Sequence, residues 1–383
     1  MSEYDHVVIG GGIVGSWTAY HLCKLRKRVL LIEQFAQPHT RGSSHGATRL
    51  IRSSYEEDFF AEMMPYACDT WRKVEQESGE KLMETMGILS VIKTPEEDHV
   101  YRSCIANMET YSPGQLDLQE TKKELFGRQL YYKKKPHAIF FDKTGGTLHA
   151  HKSVLTVQEL IKKSGGHIWN NCQVTEIVTQ NDKVEIITSK GVVVVPSVVV
   201  CAGTYTKKLL VPRIIPDLPL EAHLIRVYYW KEKELGAYSI DSGFPAFIDL
   251  EYPNVYALPS LEYPGLVKVC IHGKGTPCDP DRRDRVDFNM KNERILKDYI
   301  AEHFPLLEKE PAIVETCMYT MTPDEIFLID RVPGSENIII GTGFSGEQRF
   351  HKDKNIIFSI SVAADLVKKL TEQLIKFFNC NIN

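Results

Sequence analysis

Two short apolar runs open the chain, HVVI at residues 6–9 and VLLI at residues 29–32, separated by a glycine-rich turn and a mixed stretch. This pattern predicts strand, tight turn, helix and second strand. Residues 59–77 carry Met63, Ala67 and Trp71 at helical spacing, and residues 88–92 read as a strand. Residues 122–132 read as a helix passing into a connection, and the DKTGG turn at 142–146 precedes a helix near 152–163. Strands are then expected at 167–169, 173–177 and 183–187, followed, after a turn at Lys190 and Gly191, by one continuous run over 192–200. Runs at 225–230, 247–248, 255–257 and 266–272, punctuated by proline and glycine, predict a second, antiparallel layer. A helix near 292–302, a strand at 337–341 feeding a second glycine turn, and a helix over 356–377 complete the pattern.

The first turn has the form of a nucleotide cradle, DHVVIGGGIVG at residues 5–15. Gly10 permits the turn, Gly12 lets the backbone approach a pyrophosphate, and Gly15 lets the helix pack on the strand, with the helix N-terminus favouring the anion. Glu33 ends the second strand, where a carboxylate holds a ribose, so the ligand is FAD or NAD rather than NADP. The small residues Cys201, Ala202 and Gly203 also allow close backbone approach. A second glycine turn at Gly343 and Gly346 brings both ends of the chain to one cofactor, which suggests a discontinuous FAD domain interrupted by a substrate domain. The expected limits are 1–85, 145–215 and 315–383 for the first, and 86–144 and 216–314 for the second.

The 383 residues suffice for two modest cores, and 46 basic against 50 acidic residues, a net charge of −4, argue against a nucleic-acid partner. No apolar run approaches the length of a membrane helix, and a signal peptide is not recognisable, so a soluble, intracellular protein is expected. The nine cysteines have no metal-ligand spacing and read mostly as reduced core thiols.

Four segments carry a family resemblance: GGGIVG at 10–15, RGSSHGATRLIR at 41–52, EYPGLVKVCIH at 262–272 and ETCMYTMTPDE at 315–325. Through them nearly the whole chain resembles monomeric sarcosine oxidase and peroxisomal sarcosine (L-pipecolate) oxidase, FAD-dependent amine oxidases. The resemblance implies an α/β FAD-binding domain, Rossmann-like and of glutathione-reductase type, with a second α+β substrate domain built on an antiparallel sheet. It implies oxidation of secondary amino acids such as sarcosine, L-pipecolate or L-proline to the imine, with O2 reduced to hydrogen peroxide. Cys317 matches the cysteine that carries FAD covalently in family members. Arg52 matches the arginine that binds the substrate carboxylate, His45 and Arg49 match residues near the flavin, Lys268 matches the oxygen-activating lysine, and Tyr256 and His272 match residues lining the substrate cavity. Cofactor contacts are expected from Gly10, Gly12, Ile13, Val14, Gly15, Glu33, Ser43, Ser44, Val174, Cys317, Gly343 and Gly346. The family is mostly monomeric, and its eukaryotic members point to the peroxisome. The C-terminal Asn381, Ile382 and Asn383 do not form a Ser-Lys-Leu type address, which leaves the cytoplasm as the alternative.

The chemistry of these residues agrees with such roles while leaving blander ones open. A thiolate is the nucleophile needed to attack an activated flavin position, although an isolated cysteine is usually a buried thiol. Arg49 and Arg52 are spaced as on one helical face; a planar fork suits a carboxylate, and a solvated surface pair is the alternative. Lys268 lies in an apolar run, where its charge is costly unless paired; it would stabilise negative charge during oxygen reduction, or simply occupy an edge strand. His45 and His272 suit orientation and charge balance, or hydrogen-bonded places in the core.

One segment departs from the family pattern. GFSGEQRFHKDK at 343–354 replaces the stretch whose lysine is the second partner of the substrate carboxylate, and either alignment places a phenylalanine, Phe350 or Phe358, at that position. Arg349, Lys352 or Lys354 could reach the anion from a rearranged loop, or form a solvated cluster. A flavin dehydrogenase with another acceptor, and a flavoprotein with altered or lost catalysis, are therefore carried as alternatives.

Overall fold

In the computed structural model of this chain, residues 3–118, 125, 127–180, 182–259 and 263–345 are described. The first layer is a six-stranded sheet in the order Leu328–Arg331, Ile338–Thr342, Ser197–Val200, His6–Ile9, Val29–Ile32, His167–Trp169, parallel except for the antiparallel edge strand Leu328–Arg331. Its inner strands are mostly apolar because both faces are covered, and the polar starts His6 and Ser197 bond to each other at 2.6 Å. Val8, Leu31 and Val199 face the helices Ile13–Lys24 and Ala150–Lys163. Val7, Leu30 and Val198 face a three-stranded meander, Val174–Gln180, Lys183–Thr188 and Gly191–Val195. That meander corrects one expectation: residues 192–200 are two strands in different sheets, Gly191–Val195 and Ser197–Val200. The break falls at Pro196, whose missing N–H cannot extend a ladder.

The second layer is a nine-stranded sheet running from Thr276–Pro277 through Glu221–Glu232, Leu266–Ile271, Val255–Pro259, Ala246–Asp249, Ile88–Ile92 and Ala138–Asp142 to Leu116–Asp117, with Leu307–Met321 also paired to Glu221–Glu232. It is antiparallel except where Ala246–Asp249 meets Ile88–Ile92. Helix Lys291–His303 packs on it through Leu296 and Ile300. The expected domain limit at residue 315 falls inside the strand Leu307–Met321, which pairs along its length with Glu221–Glu232. This strand gave no clear pattern in sequence because its first part, Glu308, Lys309 and Glu310, is exposed. Helix Asp98–Tyr111 was equally silent, since only Val100, Cys104 and Met108 are buried along it.

The helix expected over 59–77 is Asp58–Ser78, closed by Gly79 in the left-handed conformation (φ 76°), whose N–H donates to the Glu75 carbonyl at 2.8 Å. The expected helical face carrying Arg49 and Arg52 is corrected. Residues Thr48–Ile51 form a strand, antiparallel to Gly146–His149 and part of a small fourth sheet. Arg49 lies on this strand, whereas Arg52 follows its end and is buried, so the two do not share a helical face. Among the described residues no helix is long and apolar enough to cross a membrane. Of the helix expected over 122–132, residues 122–124 and 126 lie outside the described residues and 127–129 form a turn. The helix expected over 356–377 also lies outside them.

Candidate active site

The first βα turn closes by backbone contact. Gly10 has φ 107°, and a Cβ there would sit 2.3 Å from the Cys201 carbonyl oxygen; at Gly15 a Cβ would meet the Gly10 carbonyl oxygen at 1.9 Å. These glycines let the Ile13–Lys24 helix start directly against the strands ending at Ile9 and Val200. At Gly12 the nearest atom to an added Cβ is the Ser44 Oγ, at 3.2 Å. That same oxygen accepts the Ile13 N–H at 3.0 Å, so Ser44 covers the open end of the helix. Glu33 is buried; one carboxylate oxygen accepts the Gly11 N–H at 2.7 Å and the other the Phe35 N–H at 2.9 Å, with His39 Nε2 at 3.4 Å. A carboxylate oxygen has more than one lone pair, so acceptor capacity for a ribose hydroxyl remains.

One cavity of about 490 Å³ joins this cradle to the second layer. Gly10, Gly12, Ile13, Val14, Glu33, Ser43, Ser44 and Val174 line it, and so do His45, Arg49, Tyr256, Lys268, His272 and Cys317. Gly15 and Gly343 stand behind its wall as packing positions, and Gly346 lies outside the described residues, as does the 346–354 segment. The residues expected at the cofactor and those expected at the chemistry thus line one space. A dinucleotide fits these residues, since a Cβ at Gly12 would crowd Ser44 where the helix amides line the cavity.

At the second layer, Cys317 and Ile225 are paired across the strands, and the Cys317 thiol is buried. Arg49 Nη2 lies 3.5 Å from its Sγ and also donates to the carbonyls of Ser43 and His45, both at 2.7 Å. Arg49 Nη1 donates to the Thr48 carbonyl at 2.7 Å, and Lys268 Nζ donates to the same oxygen at 3.2 Å. Two cations thus share one acceptor. Lys268 is 3% exposed; burial first, then the neighbouring Arg49, pulls its pKa down to about 8. His45 has Nδ1 2.5 Å from the Gly42 carbonyl and Nε2 2.9 Å from the Thr316 carbonyl. Two acceptors call for a doubly protonated ring, yet burial, followed by Arg49, depresses its pKa to about 4. Burial and Arg49 thus oppose the positive charge that the two carbonyls favour.

Burial drives the Tyr256 hydroxyl well above its ordinary pKa, keeping it a neutral donor. His272 stacks on Tyr319 with 6.3 Å between centroids. Arg52 is fully buried but does not line the cavity; its guanidinium lies 4.5 Å over the ring of Tyr55, which does. Beside it, burial pushes the Glu57 carboxyl up to about 7, Glu56 adding to the shift and Arg52 opposing it. A folded-state pKa above the unfolded value contributes stability that is complete below the unfolded pKa of 4.5 and is lost as pH rises through about 7. Glu57→Gln is expected to raise the melting temperature at pH 8 and to change it little at pH 5; a uniform shift at both pH values would show that burial of the charge is not the cause.

Sequence reasoning missed two polar supports. Gln158 donates to the Gly11 carbonyl at 2.8 Å and to Ser16 Oγ at 3.2 Å, bracing the glycine turn from the Ala150–Lys163 helix. Arg283, nearly buried, donates to the carbonyls of Thr40 and Arg41, both at 2.9 Å, and to Thr316 Oγ1 at 2.8 Å. Neither had a local signal, because their partners lie far away in sequence.

The cradle and its cavity define a dinucleotide-dependent enzyme, and a family model described as "FAD dependent oxidoreductase" matches residues 5–348. The chain belongs to this DAO family and is an FAD-dependent oxidase related to the sarcosine and amino-acid oxidases. It is 38% identical over 351 residues to the peroxisomal sarcosine oxidase of Homo sapiens, covering 90% of this chain and 87% of that protein. It is 30% identical over 358 residues to the monomeric sarcosine oxidase of Bacillus sp. (strain NS-129), covering 90% and 89%. The fold is shared with L-proline dehydrogenase from P. horikoshii, at TM-score 0.80 and 20% identity over 98% of this chain and 94% of that one.

Proposed function

We propose that this enzyme oxidises a small secondary amino acid of the sarcosine, L-pipecolate or L-proline type at its C–N bond. The carrying observation is the single cavity in which the Glu33-ended cradle and the Arg49, Lys268 and Cys317 cluster face one another. The likeness to proteins named sarcosine oxidase supports the substrate class. When bound, FAD would supply the two-electron acceptor for this oxidation, with O2 as the final acceptor. The amine also releases a proton, so the products are an imine and H2O2, and water then converts the imine to a carbonyl compound and an amine.

In this reading Gly10, Gly12, Ile13, Val14, Glu33, Ser43, Ser44 and Val174 hold the cofactor, and Cys317 bonds to it. Tyr256 and His272 flank the substrate. Arg52 takes the substrate carboxylate, which requires its guanidinium to leave the face of Tyr55, and a charge-assisted hydrogen bond of this kind is worth about 1.5–3 kcal/mol. Lys268 holds positive charge where oxygen is reduced, and Arg49 adds to it. The chain is proposed to act as a monomer. The peroxisome is the proposed compartment, supported by the names of the human and mouse relatives, with the cytoplasm as the alternative.

The test is anaerobic addition of sarcosine, L-pipecolate, L-proline and bulkier N-methyl amino acids to the purified yellow protein. Bleaching of the visible flavin band by one of them is expected, and a fully loaded flavin that none bleaches overturns the proposal. Acid precipitation should leave the colour with the wild-type chain and release it from Cys317→Ser; release from the wild type would refute attachment without touching the oxidase reading.

A further inference from the structure

Arg283 sits in the short turn Pro280–Arg285, at the seam between the two layers. The segment is tied down on both sides. Arg41 pairs with Asp284 at 2.6 Å, and Lys208 bonds both Asp279 and Asp281. Arg283 itself is 4% exposed, and the carboxylate beside it, Asp284, is 3.8 Å from Nε and lies toward solvent. Its guanidinium is spent on neutral acceptors instead: the Thr40 and Arg41 carbonyls through Nη1, and Thr316 Oγ1 at 2.8 Å and the Thr316 carbonyl at 3.4 Å through Nη2.

Those acceptors belong to the two segments that enclose Cys317. Thr316 precedes it on the strand Leu307–Met321. The loop after Thr40 carries Ser43, whose carbonyl lies 3.7 Å from the Cys317 Sγ, and His45, whose Nε2 reaches the Thr316 carbonyl. A buried cation is a costly way to join a loop to a strand when an apolar side chain could pack there. The planar fork gives what an apolar side chain cannot, fixed directions to three carbonyls and a hydroxyl at once.

We propose that Arg283 is a positioning residue for flavin attachment: by clamping residues 40–41 to Thr316 it sets the place of the Cys317 thiol. This rests on the reading of Cys317 as the attachment point. Net attachment replaces the S–H bond and one C–H bond of the flavin 8-methyl group by a C–S bond, and O2 takes the two electrons and two protons to become H2O2.

The experiment follows the apoprotein of the wild type, Arg283→Met, Arg283→Lys and Thr316→Val after FAD is added, scoring the acid-precipitable colour against time. FAD affinity and far-UV circular dichroism are recorded beside it. Arg283→Met is expected to bind FAD but to attach it about 10- to 100-fold more slowly, since small misplacement of a reacting atom costs that much. Added guanidinium ion should restore part of the rate in Arg283→Met and none in Thr316→Val, which keeps its arginine and loses one acceptor. Attachment at the wild-type rate in a folded Arg283→Met overturns the proposal; if that variant does not fold, unchanged attachment in both Arg283→Lys and Thr316→Val overturns it. A second readout separates this from failure of the attachment reading itself. Iodoacetamide labelling of Cys317 in the apoproteins should change several-fold in Arg283→Met even if the wild type never bonds its flavin, and equal labelling refutes the positioning role.

Discussion

Lys268→Met is expected to slow the reaction of the substrate-reduced enzyme with O2 by about 10²–10³-fold, the usual loss when one preorganised charge is removed from developing negative charge. Bleaching by substrate should change only a few-fold, because in the proposed reaction the lysine serves the oxygen step. The physical basis is its setting. Lys268 is buried on the strand Leu266–Ile271, held by the Thr48 carbonyl at 3.2 Å, and reaches the same cavity as Cys317. Burial reduces solvent screening of this charge, so it acts more strongly than an exposed lysine would. The same burial makes it titratable, with a pKa near 8 instead of 10.5. The charge is present below that pH and lost above it, so the wild-type oxygen step should slow as pH rises through about 8, while the variant's should not titrate there. Arg49 stays charged throughout and sets a floor to both effects. Rapid mixing of anaerobically reduced protein with O2 measures both, and an oxygen step unaltered by the substitution removes Lys268 from the mechanism.

Gly15→Ala is expected to be far more costly than Gly12→Ala, although each adds one methyl group to the cradle. The new Cβ would lie 1.9 Å from the Gly10 carbonyl oxygen, a backbone atom that cannot turn aside, and the Cys201 side chain stands at 3.3 Å behind it. The helix Ile13–Lys24 must then lift from the strand His6–Ile9, opening the wall between the parallel sheet and the cofactor cavity. Overpacking of this kind costs about 3 kcal/mol or more where nothing flexible can yield. The protein should be colourless as purified, with a lowered melting temperature in the apo form. Gly12→Ala is the instructive comparison. Its Cβ would meet only Ser44 Oγ, at 3.2 Å, a side-chain atom that can rotate. The apoprotein of Gly12→Ala should therefore melt close to the wild type while binding FAD weakly. If the two variants behave alike in the apo form, the separate roles assigned to the two glycines are wrong.

The contrast between these residues shows where the sequence was legible. The parallel strands, the glycine cradle and Glu33 could be read because each is a local rule: a buried strand is apolar without a break, and a turn against backbone tolerates no Cβ. Helices Asp58–Ser78, Ala150–Lys163 and Lys291–His303 were visible for the same reason, each carrying an apolar face at helical spacing. The identities of Lys268, Cys317, Tyr256 and His272 were legible only through family likeness, since none sits in a pattern that composition alone distinguishes.

The sequence by itself determined a nucleotide-binding layer, an antiparallel partner layer and the residue types available for chemistry, because local backbone and burial preferences write these into neighbouring positions. Tertiary structure alone decided that Arg49 faces Cys317 while Arg52 turns behind Tyr55, since Arg49 lies on the strand Thr48–Ile51 and Arg52 follows its end. It alone decided that Gln158 braces the glycine turn, that Arg283 holds Thr40 to Thr316, and that burial brings Lys268 to a pKa near 8. Each of these depends on distance and desolvation between groups remote along the chain, and no local pattern encodes either.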